Sequence, residues 1–160
     1  MLIGLYKTKI SVKGRVALPN KLKKALGDKL IITAGYEKSL MIVSPKEWQA
    51  VVGQVTNRKL TLGPARATDR FLLGSAFEVD LDAQGRFIIP KYLRQYAEIE
   101  AEAVFIGVGN RIELWSKTRW QSYELYLDKN IAKLGEKLSE LSWRTSFSIN
   151  RFFYNQPLTP

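Results

Sequence analysis

One nine-residue pattern occurs twice: Gly14-Arg15-Val16-Ala17-Leu18-Pro19-Asn20-Lys21-Leu22 returns as Gly85-Arg86-Phe87-Ile88-Ile89-Pro90-Lys91-Tyr92-Leu93, at a constant offset of 85 − 14 = 71 residues. Both copies read Gly-Arg, three apolar residues, Pro, two variable residues, Leu. A spacing kept through every fixed position implies a repeated structural unit, and two units in one chain suggest a pseudo-symmetric module suited to binding a repeated or symmetric partner.

Each copy sits in the same order of local signals. Leu2 to Ile10 alternates as a strand does, with Leu5, Lys7 and Lys9 on one face and Tyr6, Thr8 and Ile10 on the other. Ser11 to Gly14 turns the chain, and Arg15 to Leu18 forms a short strand. Pro19 then starts a helix from Asn20 to Leu26 that Gly27 closes. Leu30 to Thr33 and Leu40 to Val43 read as a hairpin around Gly35, and Ser44-Pro45-Lys46-Glu47 as a capping-box helix start followed by Trp48, Val51, Val52 and Val55 at helical spacing.

The second copy repeats this with a strand from Ser75 to Leu81, a turn to Gly85, a strand from Arg86 to Ile89 and a helix from Pro90 to Tyr96. A hairpin follows, Ala103 to Val108 and Arg111 to Trp115, with a helix from Ser116. Gly14 and Gly85 serve turn geometry, Pro19 and Pro90 start helices, and Leu22 and Leu93 belong to the core. The domains expected are a first repeat over 1–55, a basic linker over 56–74 holding a short helix from Ala65, a second repeat over 75–122, and a C-terminal helix with an aromatic tail over 123–160.

That last helix carries Trp120, Tyr123, Tyr126, Leu127, Ile131, Leu134, Leu138 and Leu141 near a 3.5-residue period. The stripe is either core within the chain or a seam between subunits. The tail, with Trp143, Phe147, Phe152, Phe153 and Tyr154 among Arg144 and Arg151, packs on a neighbouring subunit or stacks on bases.

Charge narrows the partner. The net charge is +10, with no His and no Cys, which removes the commonest general base, disulfides and thiolate metal sites. Residues 1–55 hold ten Lys or Arg against three Asp or Glu, a net of +7, and residues 56–74 four against one, +3. Residues 75–141 hold nine against eleven, −2. Positive charge concentrated in the first repeat and linker favours a polyanion such as double-stranded DNA. A solvated basic surface is the competing reading.

Lys7, Lys9, Lys13 and Arg15 bracket the first turn as a cationic ridge; Lys can neutralise phosphates, and the Arg fork can bond a phosphate or a guanine edge bidentately. In the second turn Asp82 and Arg86 stand four apart and can pair, whereas Ser11 takes the acidic position in the first. No nucleophile-base set, phosphate-binding loop or dinucleotide fingerprint appears, so an enzyme, a cofactor and a metal are not expected. A signal peptide and a membrane-spanning run are lacking, which places the expected protein in the cytoplasm.

The strand, the turn ending in Lys13-Gly14-Arg15 or Gln84-Gly85-Arg86, the following strand and the Pro-led helix resemble the SpoVT-AbrB DNA-binding unit. Two such units, with Gly107-Val108-Gly109-Asn110-Arg111-Ile112-Glu113-Leu114-Trp115-Ser116 in the second, look like the MraZ family of transcriptional regulators over about residues 1–140. The resemblance implies an α+β fold of tandem swapped-hairpin β-barrel-like repeats, a ring-shaped homo-oligomer, and association with the nucleoid. It also implies binding to direct promoter repeats upstream of the cell-division and cell-wall gene cluster, the protein's own promoter included.

The family's turn motif, Asp, three residues, Arg, carries over to Asp82 and Arg86 but only to Arg15 in the first repeat. The candidate DNA-binding residues are Lys7, Lys9, Lys13, Arg15 and Arg86, and the expected function is sequence-specific transcriptional regulation as a repressor. The alternatives are an antitoxin-like regulator of similar fold and an oligomeric structural protein with non-specific DNA affinity.

Overall fold

Gly14 and Gly85 occupy equivalent turns with φ of +79° and +72°, a left-handed backbone that glycine adopts without a Cβ penalty. Each turn closes alike: the Gly14 N–H donates to the Ser11 carbonyl and the Gly85 N–H to the Asp82 carbonyl, both at 2.8 Å. The computed structural model describes residues 1–57 and 61–153, with side chains through Leu141.

The first repeat consists of β1 (Leu2–Lys9), β2 (Arg15–Ala17), α1 (Asn20–Leu26), β3 (Lys29–Ala34), β4 (Leu40–Val43) and α2 (Pro45–Thr56). After α3 (Gly63–Leu72) the order recurs as β5 (Phe77–Asp80), β6 (Arg86–Ile88), α4 (Lys91–Tyr96), β7 (Glu102–Gly109), β8 (Ile112–Ser116) and α5 (Lys117–Phe153). The capping box at Ser44 forms, its hydroxyl accepting from the Glu47 N–H at 3.3 Å. The expected linker helix is longer than its Ala65 start suggested, because Gly63-Pro64 supplies a proline in the first turn. The strand expected from Ser75 begins at Phe77 instead. Ser75 is buried, its hydroxyl donating to the Phe71 carbonyl at 2.6 Å and lying 2.8 Å from the Thr33 hydroxyl.

The repeats are woven together. One sheet has the order β1-β7-β8-β4-β3-β5 and the other pairs β2 with β6, all antiparallel. The first strand of each repeat therefore pairs with the other repeat's hairpin, β1 with β7 and β5 with β3. The register reveals a pseudo-twofold axis, since Val16 faces its own counterpart Phe87 (87 − 16 = 71) and Met41 faces Glu113 (113 − 41 = 72). Two further bonds tie the turns: Leu18 N–H to the Gly85 carbonyl and Ile89 N–H to the Gly14 carbonyl, each at 2.9 Å.

This weaving lets both repeats share one core. Val16, Leu22, Ile32, Ile42, Leu93, Phe105 and Leu114 are all buried in one cluster, and full burial of each such side chain is worth about 1.5–3 kcal/mol. The chain divides into two units, Met1–Trp120 and Gln121–Pro160. In the second unit the α5 stripe includes exposed residues, Ile131 at 62% and Leu138 at 68%, beside half-buried Leu127 and Leu134. The tail residues from Trp143 lie outside the side chains described. Among the described residues no helix is long and apolar enough to cross a membrane.

Candidate nucleic-acid interface

Strand alternation sets the outward face of the β2–β6 ribbon. Val16 and Phe87 are buried, so Arg15 and Ala17 on one strand and Arg86 and Ile88 on the other lie on the opposite side. Arg15 stands opposite Ile88 and Arg86 opposite Ala17, which puts one arginine from each repeat on the same face, related by the pseudo-twofold. A shallow groove beside it is lined by Lys9, Ser11, Val12, Lys13, Arg15 and Arg86 among others. Four of the five candidate residues thus meet at one surface.

Lys7 is placed elsewhere. It shares the exposed face of β1 with Lys9, as the alternation predicts, but it pairs with Val104 on β7 and does not line the groove. Its field reaches Glu102, whose carboxyl is held below the ordinary range. The Lys117 ammonium 2.7 Å away is the main cause, and the fields of Lys9 and then Lys7 add to it. The ridge read from sequence is split between a turn and a sheet face.

The two turns have one backbone and two chemistries. In the second, Asp82 Oδ1 accepts from the Gln84 and Arg86 N–H groups at 2.9 Å, and Oδ2 accepts from Arg86 Nε at 2.8 Å and pairs with Nη2 at 2.8 Å. The Arg86 N–H, then its guanidinium and the Gln84 N–H, hold the Asp82 carboxyl below the ordinary carboxylate range against the desolvation that opposes them. In the first turn the Ser11 hydroxyl accepts the Arg15 N–H at 3.0 Å. Among the described residues nothing bonds the Arg15 guanidinium.

The charged and polar pseudo-twofold partners diverge, Lys9 matching Asp80, Ser11 matching Asp82 and Lys13 matching Gln84, while Gly14 with Gly85 and Arg15 with Arg86 agree. The first turn is therefore uniformly cationic or neutral, while the second neutralises its own arginine. This geometry presents a free guanidinium and two ammonium groups to a polyanion from one turn, and a fixed, partly neutralised guanidinium from the other.

A further cation reaches the first turn from the second repeat. Arg94 on α4 donates from Nη1 to the Val12 carbonyl at 3.1 Å across 82 residues of sequence. Sequence reading missed it, because only the β2–β6 pairing brings α4 beside that turn. The signal was nonetheless present as the counterpart of Lys23, since 94 − 23 = 71.

Comparison with known proteins agrees with this architecture. The family model described as "MraZ protein, putative antitoxin-like" matches residues 1–71 and again 72–139. The chain is 40% identical over 142 residues to the transcriptional regulator MraZ of Thermoanaerobacter pseudethanolicus, covering 89% of this chain and 99% of that protein. It is 41% identical over 141 residues to the protein of the same name from Caldicellulosiruptor saccharolyticus, covering 88% and 99%. For Caldanaerobacter subterraneus subsp. tengcongensis the identity is 39% over 142 residues, covering 89% and 99%.

Proposed function

The chain belongs to the MraZ family, and from that premise we propose that it is a DNA-binding transcriptional regulator whose first turn makes the main contact with the duplex. The observation that carries this reading is the charge asymmetry across a symmetric ribbon: Lys9, Lys13 and an unpaired Arg15 on one side, Asp80 and the Asp82–Arg86 clamp on the other. The ammonium groups neutralise phosphates and position the chain, and Arg15 reads a base edge or a phosphate. The chain acts as a repressor in the cytoplasm, on direct repeats upstream of cell-division and cell-wall genes, its own promoter among them. It self-associates into a ring-like homo-oligomer, which supports engagement of several repeats at once.

The test is fluorescence anisotropy with duplexes from the protein's own upstream region and with random duplexes of equal length. Affinity should fall steeply with salt on both, since each phosphate contact contributes about −0.9 to the log-log slope. The upstream duplex should bind at least about tenfold tighter, the low end of specific discrimination for one base pair. Equal affinity for both would leave an oligomer with incidental DNA affinity and reject the regulator reading.

A further inference from the structure

Each repeat lays a helix side chain over the other repeat's turn, and the two side chains differ. A Cβ at Gly85 would lie 3.3 Å from Lys23 Cδ, and one at Gly14 would lie 2.9 Å from Arg94 Nη1. Each crossing side chain thus passes close over the glycine of the turn. Lys23 over the second turn is neutralised by Asp28, Nζ to Oδ1 3.4 Å. Arg94 over the first turn has no carboxylate partner among the described residues, and its one bond goes to a neutral carbonyl, that of Val12. A guanidinium has five N–H donors in a fixed fork, so most of its capacity is unspent at the rim of the cationic turn.

We infer that Arg94 is a further DNA-contacting residue, supplied by the second repeat to the first repeat's turn. It braces the turn through Val12 and offers its remaining N–H groups to the phosphates that Lys13 and Arg15 meet. The inference rests on the reading of the first turn as the duplex contact. It means that the interface needs both repeats even though one turn dominates it, because the fourth cation arrives through the weave.

Arg94→Gln removes the charge while leaving an amide donor on a shorter side chain. With a random duplex, the variant should unfold at a temperature near that of the parent chain, bind several-fold more weakly, and show a log-log salt slope shallower by about 0.9. Lys23→Gln, at the mirrored position, should leave the slope unchanged. Arg94→Lys, which keeps a cation, should keep the slope, and it decides the matter if Arg94→Gln fails to fold. An unchanged slope in folded Arg94→Gln, a reduced slope in Arg94→Lys, or an equal change in Lys23→Gln would overturn the inference. Absence of salt-dependent binding by the unsubstituted chain would instead reject the function from which the inference proceeds.

Discussion

Ser11 and Asp82 stand at one place in two turns of the same backbone, and the difference of a carboxylate decides what each arginine is free to do. Asp82 engages Arg86 through three contacts and the Gln84 N–H through a fourth, and its pKa is lowered chiefly by the Arg86 N–H. A carboxylate with a depressed folded-state pKa stabilises the fold above its unfolded value, and that contribution is lost as pH falls through the folded value. The stability difference between the parent chain and Asp82→Asn should therefore be full at neutral pH and vanish below the ordinary carboxylate range. Thermal unfolding across pH measures it. A difference that survives unchanged into strong acid would mean that the clamp is not an ionic one. The pairing itself was readable from a four-residue spacing, whereas Arg94 was not, because its partner lies across a long-range strand pairing.

At the scale of elements, the weave depends on how closely β1 approaches β7. Gly107 pairs with Gly4, and a Cβ at Gly107 would lie 2.5 Å from the Ile3 backbone nitrogen and 2.6 Å from the Leu2 carbonyl carbon. Backbone cannot yield there as a flexible side chain would, so Gly107→Ala should push β1 off the sheet edge at a cost on the order of 1–3 kcal/mol. Hydrogen exchange should show lost protection in β1 before the centre of the sheet, β4 and β8. Protection lost equally everywhere would contradict this. Elements with local signals were legible in sequence: the glycine turns, the proline-led short helices, the capped α2 and the hairpins. The separation of Lys7 from the groove was not, because same-face spacing says nothing about where along a face the neighbouring turn lies. The start of α3 was missed for a local reason, the helix-starting role of Pro64 inside a segment that reads as a polar linker.

At the scale of the whole molecule, symmetry of backbone and asymmetry of charge coexist. The pseudo-twofold relates the strands pair by pair, while residues 1–55 carry a net of +7 against −2 on residues 75–141. The exposed α5 residues Ile131 and Leu138 add an apolar surface of the kind that associating chains cover. Light scattering coupled to size exclusion should give a mass of several chains, lowered by the double substitution Ile131→Ser with Leu138→Ser. A single-chain mass for the unsubstituted protein at micromolar concentration would rule out the assembly.

The central claim is that the unpaired arginine dominates the duplex contact, and its most direct test compares Arg15→Ala with Arg86→Ala by anisotropy on one upstream duplex at fixed salt. Arg15→Ala should weaken binding by about 1–3 kcal/mol, the value of one bidentate base contact. Arg86→Ala should weaken it less and lower the unfolding temperature, because it dismantles the Asp82 clamp. A loss of affinity for Arg86→Ala equal to or greater than that for Arg15→Ala would contradict the account and make the two turns equivalent readers of DNA.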